Sequence, residues 1–153
     1  MNDYNKLALK AVDLQKENKS QEAKKIYIDL LKIKRNPQIL RLLGLIEFDE
    51  KKYEKSLKLL NESIQINPND SECYSNRGVV NFKLRNIEEA ISDYKKAISI
   101  DKNNYNAFFN LGNLYKEINR LDESIKNFNE AISINKNHYN YFYQLKLPFY
   151  NLK

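Results

Sequence analysis

The sequence predicts an all-α fold, a solenoid of stacked antiparallel helix pairs, and three observations carry that prediction. Of the 153 residues, 42% are hydrophobic and 30% charged, enough apolar content for one folded domain and too much for a disordered chain. Gly44, Gly78 and Gly112, the only glycines, fall at a constant interval of 34 residues. Around them, apolar residues recur at helical spacing in two runs per interval, separated by a polar break. A fixed interval of this length decides the architecture before any local feature does. One helical hairpin cannot bury its apolar face alone and must stack on copies of itself.

In chain order, the sequence divides into blocks 4–36, 37–70, 71–104 and 105–138 and a half-block 139–153, within a single domain spanning 1–153. The first block opens at Tyr4 and puts Leu7, Ala11, Ala23, Tyr27, Leu30, Leu31 and Ile33 in its apolar roles, with Ala11 where later blocks have glycine. The second predicts a helix A from about Pro37 to Glu50 and a helix B from about Tyr53 to Ile66. Proline suits the first helical position at Pro37 and the residues after a helix end at Pro68. The third and fourth blocks repeat the pattern, with Tyr74 and Phe108 for Leu40, Arg77 and Leu111 for Leu43, and Tyr94 and Phe128 for Leu60.

Small residues recur as regularly: Ser56, Ala90 and Ser124 at one place, Ser63, Ala97 and Ala131 at another. A mid-helix glycine costs roughly 0.5 to 1 kcal/mol against alanine, so its recurrence implies a packing gain at least that large where helix A lies against helix B. The blocks close on the helix-breaking phrases NPND, DKNN and NKNH. The half-block repeats helix A only: Phe142 and Leu145 hold apolar places, Lys146 takes the place of the glycine, and Pro148 interrupts the helix. Tyr139, Tyr141, Tyr143, Phe149 and Tyr150 crowd the same stretch, which suits a cap on the last hairpin or a self-association surface.

The pattern resembles the tetratricopeptide repeat family over nearly the whole chain, as four hairpins and a C-terminal helix. NLGNLYKEINRLDESIKNFNEAISINKNH, from Asn110 to His138, is close to the family consensus. The sequence departs from it in having no tryptophan, in placing Glu47 and Asn81 where an aromatic is preferred, and in keeping the closing proline only at Pro68. The resemblance implies a right-handed superhelix whose concave face is lined by A helices and binds a peptide or protein ligand. The residues it turns inward include Arg41, Leu45, Phe48, Asn76, Val79, Phe82, Phe109, Asn110, Asn113 and Gln144.

Asn76, Asn110 and Gln144 occupy one place in successive blocks, and an amide row of this kind can pair donor and acceptor with successive peptide units of an extended ligand. It resembles the asparagine ladder in the repeat domain of O-linked N-acetylglucosamine transferase, although asparagine is also common throughout this chain. The cation set with which some family members clamp a C-terminal carboxylate is absent, the corresponding residues being Arg41, Leu45, Asn76, Asn106 and Asn110.

Other functions find little support. Three glycines cannot build a phosphate-binding loop, and one cysteine with one histidine builds no disulfide or thiol–imidazole pair. Cys73 reads as a small core residue, and Glu88, Glu89, Asp122 and Glu123 as acids at the positive ends of B helices. No catalytic residue, cofactor or metal site is expected. With no signal-peptide or membrane-spanning run, the expectation is a cytoplasmic protein with no membrane insertion.

The net charge of +6 is concentrated in the first block, where Lys24, Lys25, Lys32, Lys34 and Arg35 are expected to face outward from helix B. Lysine supplies most of the basic residues, and asparagine and isoleucine are similarly abundant, so codon bias accounts for much of the basicity. Nucleic acid is disfavoured because no base-reading side chains recur at fixed places. The expected function is a protein-interaction scaffold. The alternatives are a regulatory or substrate-recruiting domain of a larger enzyme such as a glycosyltransferase, or an RNA-associated helical repeat.

Overall fold

The computed structural model describes residues 3–135. Among them are eight helices and no strand: α1 (Asp3–Lys16), α2 (Ser20–Ile33), α3 (Pro37–Asp49), α4 (Tyr53–Ile66), α5 (Ser71–Lys83), α6 (Ile87–Ile100), α7 (Tyr105–Glu117) and α8 (Leu121–Ile134). Odd-numbered helices are A helices and even-numbered ones B helices. They pair as four hairpins, and each B helix also packs on the A helix that follows. α3 touches α5 and α5 touches α7, a closer approach than successive B helices make. The solenoid is therefore tighter on its A-helix side, which makes that side concave.

Each hairpin turns on a residue with positive φ at one equivalent place: Asn18 (61°), Lys51 (60°), Arg85 (66°) and Asn119 (62°). The turn is a Schellman closure each time. In the second hairpin the Lys51 N–H donates to the Phe48 carbonyl and the Lys52 N–H to the Glu47 carbonyl, both at 2.8 Å, satisfying carbonyls left over at the end of α3. The next three A helices start on side-chain caps from the residue before each helix. Asn36 accepts from the Gln38 and Ile39 N–H groups at 2.9 and 3.2 Å, Asp70 from Cys73 at 3.0 Å, and Asn104 from Ala107 at 2.9 Å.

Small residues do two jobs at the A–B seam. The Ser56 hydroxyl donates to the Gly44 carbonyl at 2.7 Å and the Ser124 hydroxyl to the Gly112 carbonyl at 2.8 Å, so buried hydroxyls are partnered where the helices meet. The glycines themselves face the bulky residue of helix B: Leu60 for Gly44, Tyr94 for Gly78 and Phe128 for Gly112. In the first hairpin Ala11 and Tyr27 hold these two places, both fully buried, and α1 packs less closely on α2 than the other A helices do on their partners.

Leu7 and Ile33 stand outside the core in which the sequence grouped them, at 42% and 72% exposure, and Ile66 is 46% exposed. Leu7 holds the place where Leu40 packs against the preceding hairpin, and no described residue packs on α1 in that way. Ile33 and Ile66 are the last residues of their B helices. Lys24 is also placed differently from expectation. It turns toward α3, with Nζ 2.8 Å from both Glu47 and Glu50.

Where the second and fourth hairpins have Leu43 and Leu111, the third has Arg77 and builds a charged seam. Arg77 Nε and Nη2 donate to the Asp93 carboxylate at 2.9 and 2.6 Å, and Nη1 donates to Asn61 at 2.8 Å. Asn81 adds a third donor to Asp93 at 2.9 Å. The family departures at Glu47 and Asn81 are thus buried and partnered, whereas Tyr115 keeps the aromatic, with the Arg120 guanidinium 4.7 Å from its ring centroid.

Candidate functional site: the concave face

The residues expected on the concave face belong to α3, α5 and α7. Residues three or four apart share a helix face, which groups Arg41, Leu45 and Phe48 on α3, Asn76, Val79 and Phe82 on α5, and each of Phe109 and Asn110 with Asn113 on α7. All nine are half-buried: their stems are packed and part of each side chain is accessible. Of the neighbouring residues expected on this face, Ser75 is buried instead, at 4% exposure. Gln144 and the aromatic half-block lie outside the described residues, as does His138.

The apolar members serve as floor and as packing together. Phe48 rests on the cluster of Leu60, Ile64, Cys73 and Val80, with its ring 5.5 Å from that of Tyr53. Val79 and Phe82 pack on the cluster that includes Tyr94, Leu114 and Tyr115. The ring centroids of Phe109 and Phe128 are 5.8 Å apart.

The polar members divide into paired and free. Arg41 is ion-paired: Nε lies 3.3 Å from Asp70 without making a hydrogen bond and Nη1 2.6 Å from Glu72, so the cation of the second hairpin is compensated at the start of α5. The amides of Asn76, Asn110 and Asn113 make no hydrogen bond to another described residue. Lys83 and Lys116, in the last turns of α5 and α7, are exposed and without an ion-pair partner among the described residues. Residue type alone does not separate these free cations from a paired one such as Arg41.

Reactive chemistry is not evident on this face. Cys73 is fully buried behind it, its thiol 3.7 Å from the Leu60 carbonyl, and burial pushes its pKa up to about 11. No group of three or more potential metal ligands occurs among the described residues, and no described helix is long and apolar enough to cross a membrane.

The geometry defines a class first: a helical-repeat solenoid with an open concave face carrying both apolar and amide groups. The tetratricopeptide repeat profile matches residues 71–104 and 105–138, and a second profile of the same repeat matches 36–84. The chain belongs to the tetratricopeptide repeat family. No curated protein matches its sequence significantly.

Among solved structures, that of MamA is similar at TM-score 0.78 and 19% identity over 91% of this chain and 82% of the other. MamA from Desulfovibrio magneticus RS-1, residues 41 to end, gives 0.77 and 18% over 88% and 77%. YrrB, a tetratricopeptide repeat protein with an unusual peptide-binding site, gives 0.75 and 21% over 90% and 71%. At these identities the likeness is one of fold.

Proposed function

We propose that this chain is a non-catalytic interaction scaffold whose concave face binds a peptide segment of a partner protein. The observation that carries the reading is the amide pair Asn76 and Asn110. The two occupy one equivalent place on neighbouring A helices, are half-buried, and lack any partner among the described residues. A half-buried amide without a partner is satisfied by a ligand that brings both a donor and an acceptor, as a peptide unit does. Beside the pair, Leu45, Phe48, Val79, Phe82 and Phe109 offer apolar contact for alternate side chains of an extended ligand. Asn113 adds a third amide on α7, and Arg41, already ion-paired, contributes packing more than charge. The peptide-binding site of YrrB on a similar fold supports the reading. A cytoplasmic setting goes with it, since a lone buried thiol forms no disulfide.

The test is peptide binding by the full chain. Asn76→Ala with Asn110→Ala should weaken binding of a selected peptide by about 1 to 3 kcal/mol, from about 0.5 to 1.5 kcal/mol per contact, without moving the urea midpoint. Unchanged affinity in the double variant would remove the amide ladder from the mechanism.

A further inference from the structure

Among the described residues expected on the concave face, the cations without an ion-pair partner are Lys83 and Lys116, at one edge. On α5, Asn76, Val79 and Lys83 follow at intervals of three and four residues, and on α7, Asn110, Asn113 and Lys116 follow at intervals of three. Lys83 lies on the face of Asn76 and Val79, and Lys116, one place earlier in its repeat, lies one turn beyond Asn113, so both stand near the C-terminal ends of two helices that touch. Those ends are joined by an ion pair between Arg85 and Glu117, which occupies the neighbouring acid and leaves the two lysines uncompensated. The other cation of the face, Arg41, is held by Asp70 and Glu72.

We propose that Lys83 and Lys116 select the ligand by its charge: the bound segment carries an Asp or Glu next to its apolar residues, and that carboxylate lies over the C-terminal edge of α5 and α7. This rests on the reading of the concave face as a peptide groove and adds the chemistry of the peptide. A lysine ammonium is a compact charge on a flexible stem and imposes no planar, bidentate geometry. A side-chain carboxylate in mid-segment therefore serves as well as a chain terminus. Helix C-termini favour lysine through the macrodipole, which accounts for its presence at these positions but leaves its charge available to a ligand. A nucleic-acid backbone fits less well, because no base-reading side chains recur at fixed places along these helices and two lysines offer few phosphate contacts.

The experiment is selection from a random displayed-peptide library on the full chain, on Lys83→Glu/Lys116→Glu and on Asn76→Ala/Asn110→Ala, followed by affinity measurement for the best wild-type peptide. Wild type should enrich peptides that combine apolar residues with Asp or Glu. Charge reversal should lower affinity about tenfold and shift enrichment toward Lys and Arg. Changing the acid of the peptide to its amide should weaken binding to wild type but not to Lys83→Gln/Lys116→Gln, whose urea midpoint should stay at the wild-type value.

An acid-free consensus, or one indifferent to the lysines, overturns the inference; if the asparagine variant still loses affinity, the groove reading stands without it. Enrichment of no peptide at all overturns both. A gel shift of single-stranded RNA that the lysine variant abolishes, in the absence of acidic-peptide enrichment, overturns the inference in favour of nucleic acid.

Discussion

A Cβ atom on Gly78 would stand 2.7 Å from Cε1 of Tyr94 and 2.9 Å from Cδ1, inside van der Waals contact with a ring that is itself fully packed. At Gly44 the corresponding neighbour is Leu60 Cγ at 3.2 Å, a tight contact that a shift of a few tenths of an ångström relieves rather than an overlap. Gly78→Ala should therefore destabilise by about 1 to 3 kcal/mol through overpacking, and Gly78→Leu by more. Gly44→Ala should be near neutral, since helix propensity returns up to about 1 kcal/mol. Urea midpoints would decide it, and equal tolerance at the two glycines would contradict the argument. Tyr94→Leu, which reproduces the Gly44–Leu60 pair, should recover part of the loss in Gly78→Ala.

The Arg77–Asp93 pair makes a different prediction, because Asp93 is nearly inaccessible and its charge has nowhere else to go. Arg77→Leu alone should cost about 3 to 5 kcal/mol by leaving that charge buried and unpaired. Arg77→Leu with Asp93→Leu copies the Leu43 and Leu59 of the second hairpin and should restore most of the loss, leaving the Asn81 amide short of an acceptor and the Asn61 carbonyl short of a donor. A double-mutant cycle in urea measures the coupling, and additive effects would refute it.

The hairpins were legible in the sequence because packing at the seam restricts residue size: the interval between the glycines and the small places reports directly on where helices touch. Helix A of the second block reads as Pro37 to Glu50 and is observed as Pro37–Asp49, Glu50 serving as its cap. The Schellman turns were not legible, since only Asn18 and Asn119 carry a residue suited to positive φ while Lys51 and Arg85 do not. The electrostatic state of the groove was hidden as well. Arg41 and Lys83 look alike in sequence, and their difference lies in where Asp70 and Glu72 are brought by the fold.

Lys51 pays for its turn with a conformation that disfavours a side chain, and it is exposed, with no ion pair among the described residues. Lys51→Asn, which installs the residue already present at Asn18 and Asn119, should stabilise the chain by about 0.5 to 1 kcal/mol. Lys51→Val should destabilise by at least about 1 kcal/mol, because a β-branched residue tolerates positive φ least. Thermal or urea melts that rank valine above asparagine would be inconsistent with the turn as described.

Cys73 offers a probe of opening between the second and third hairpins. Its thiol is fully buried and its pKa is pushed up to about 11, so almost no thiolate exists at neutral pH and none is accessible. Alkylation by iodoacetamide should therefore proceed only through opened molecules, with a rate that rises with urea in step with unfolding. Rapid modification of the native chain would show that this part of the core is accessible.

Glu50 ties the first two hairpins together at a titratable point. Hydrogen bonds from Lys24, Lys52 and Gln21 hold its carboxyl at about 2, below the ordinary 4.5. A carboxyl with a depressed folded-state pKa contributes its full stabilisation above the unfolded value and loses it as pH falls through the folded one. Glu50→Gln should thus destabilise the chain at neutral pH, by an amount that shrinks as pH drops below about 4.5 and vanishes below about 2. The urea midpoints of wild type and variant, compared across this range, should converge on the acid side. A gap that is independent of pH would mean that the carboxylate charge contributes nothing and that the three contacts act only through packing.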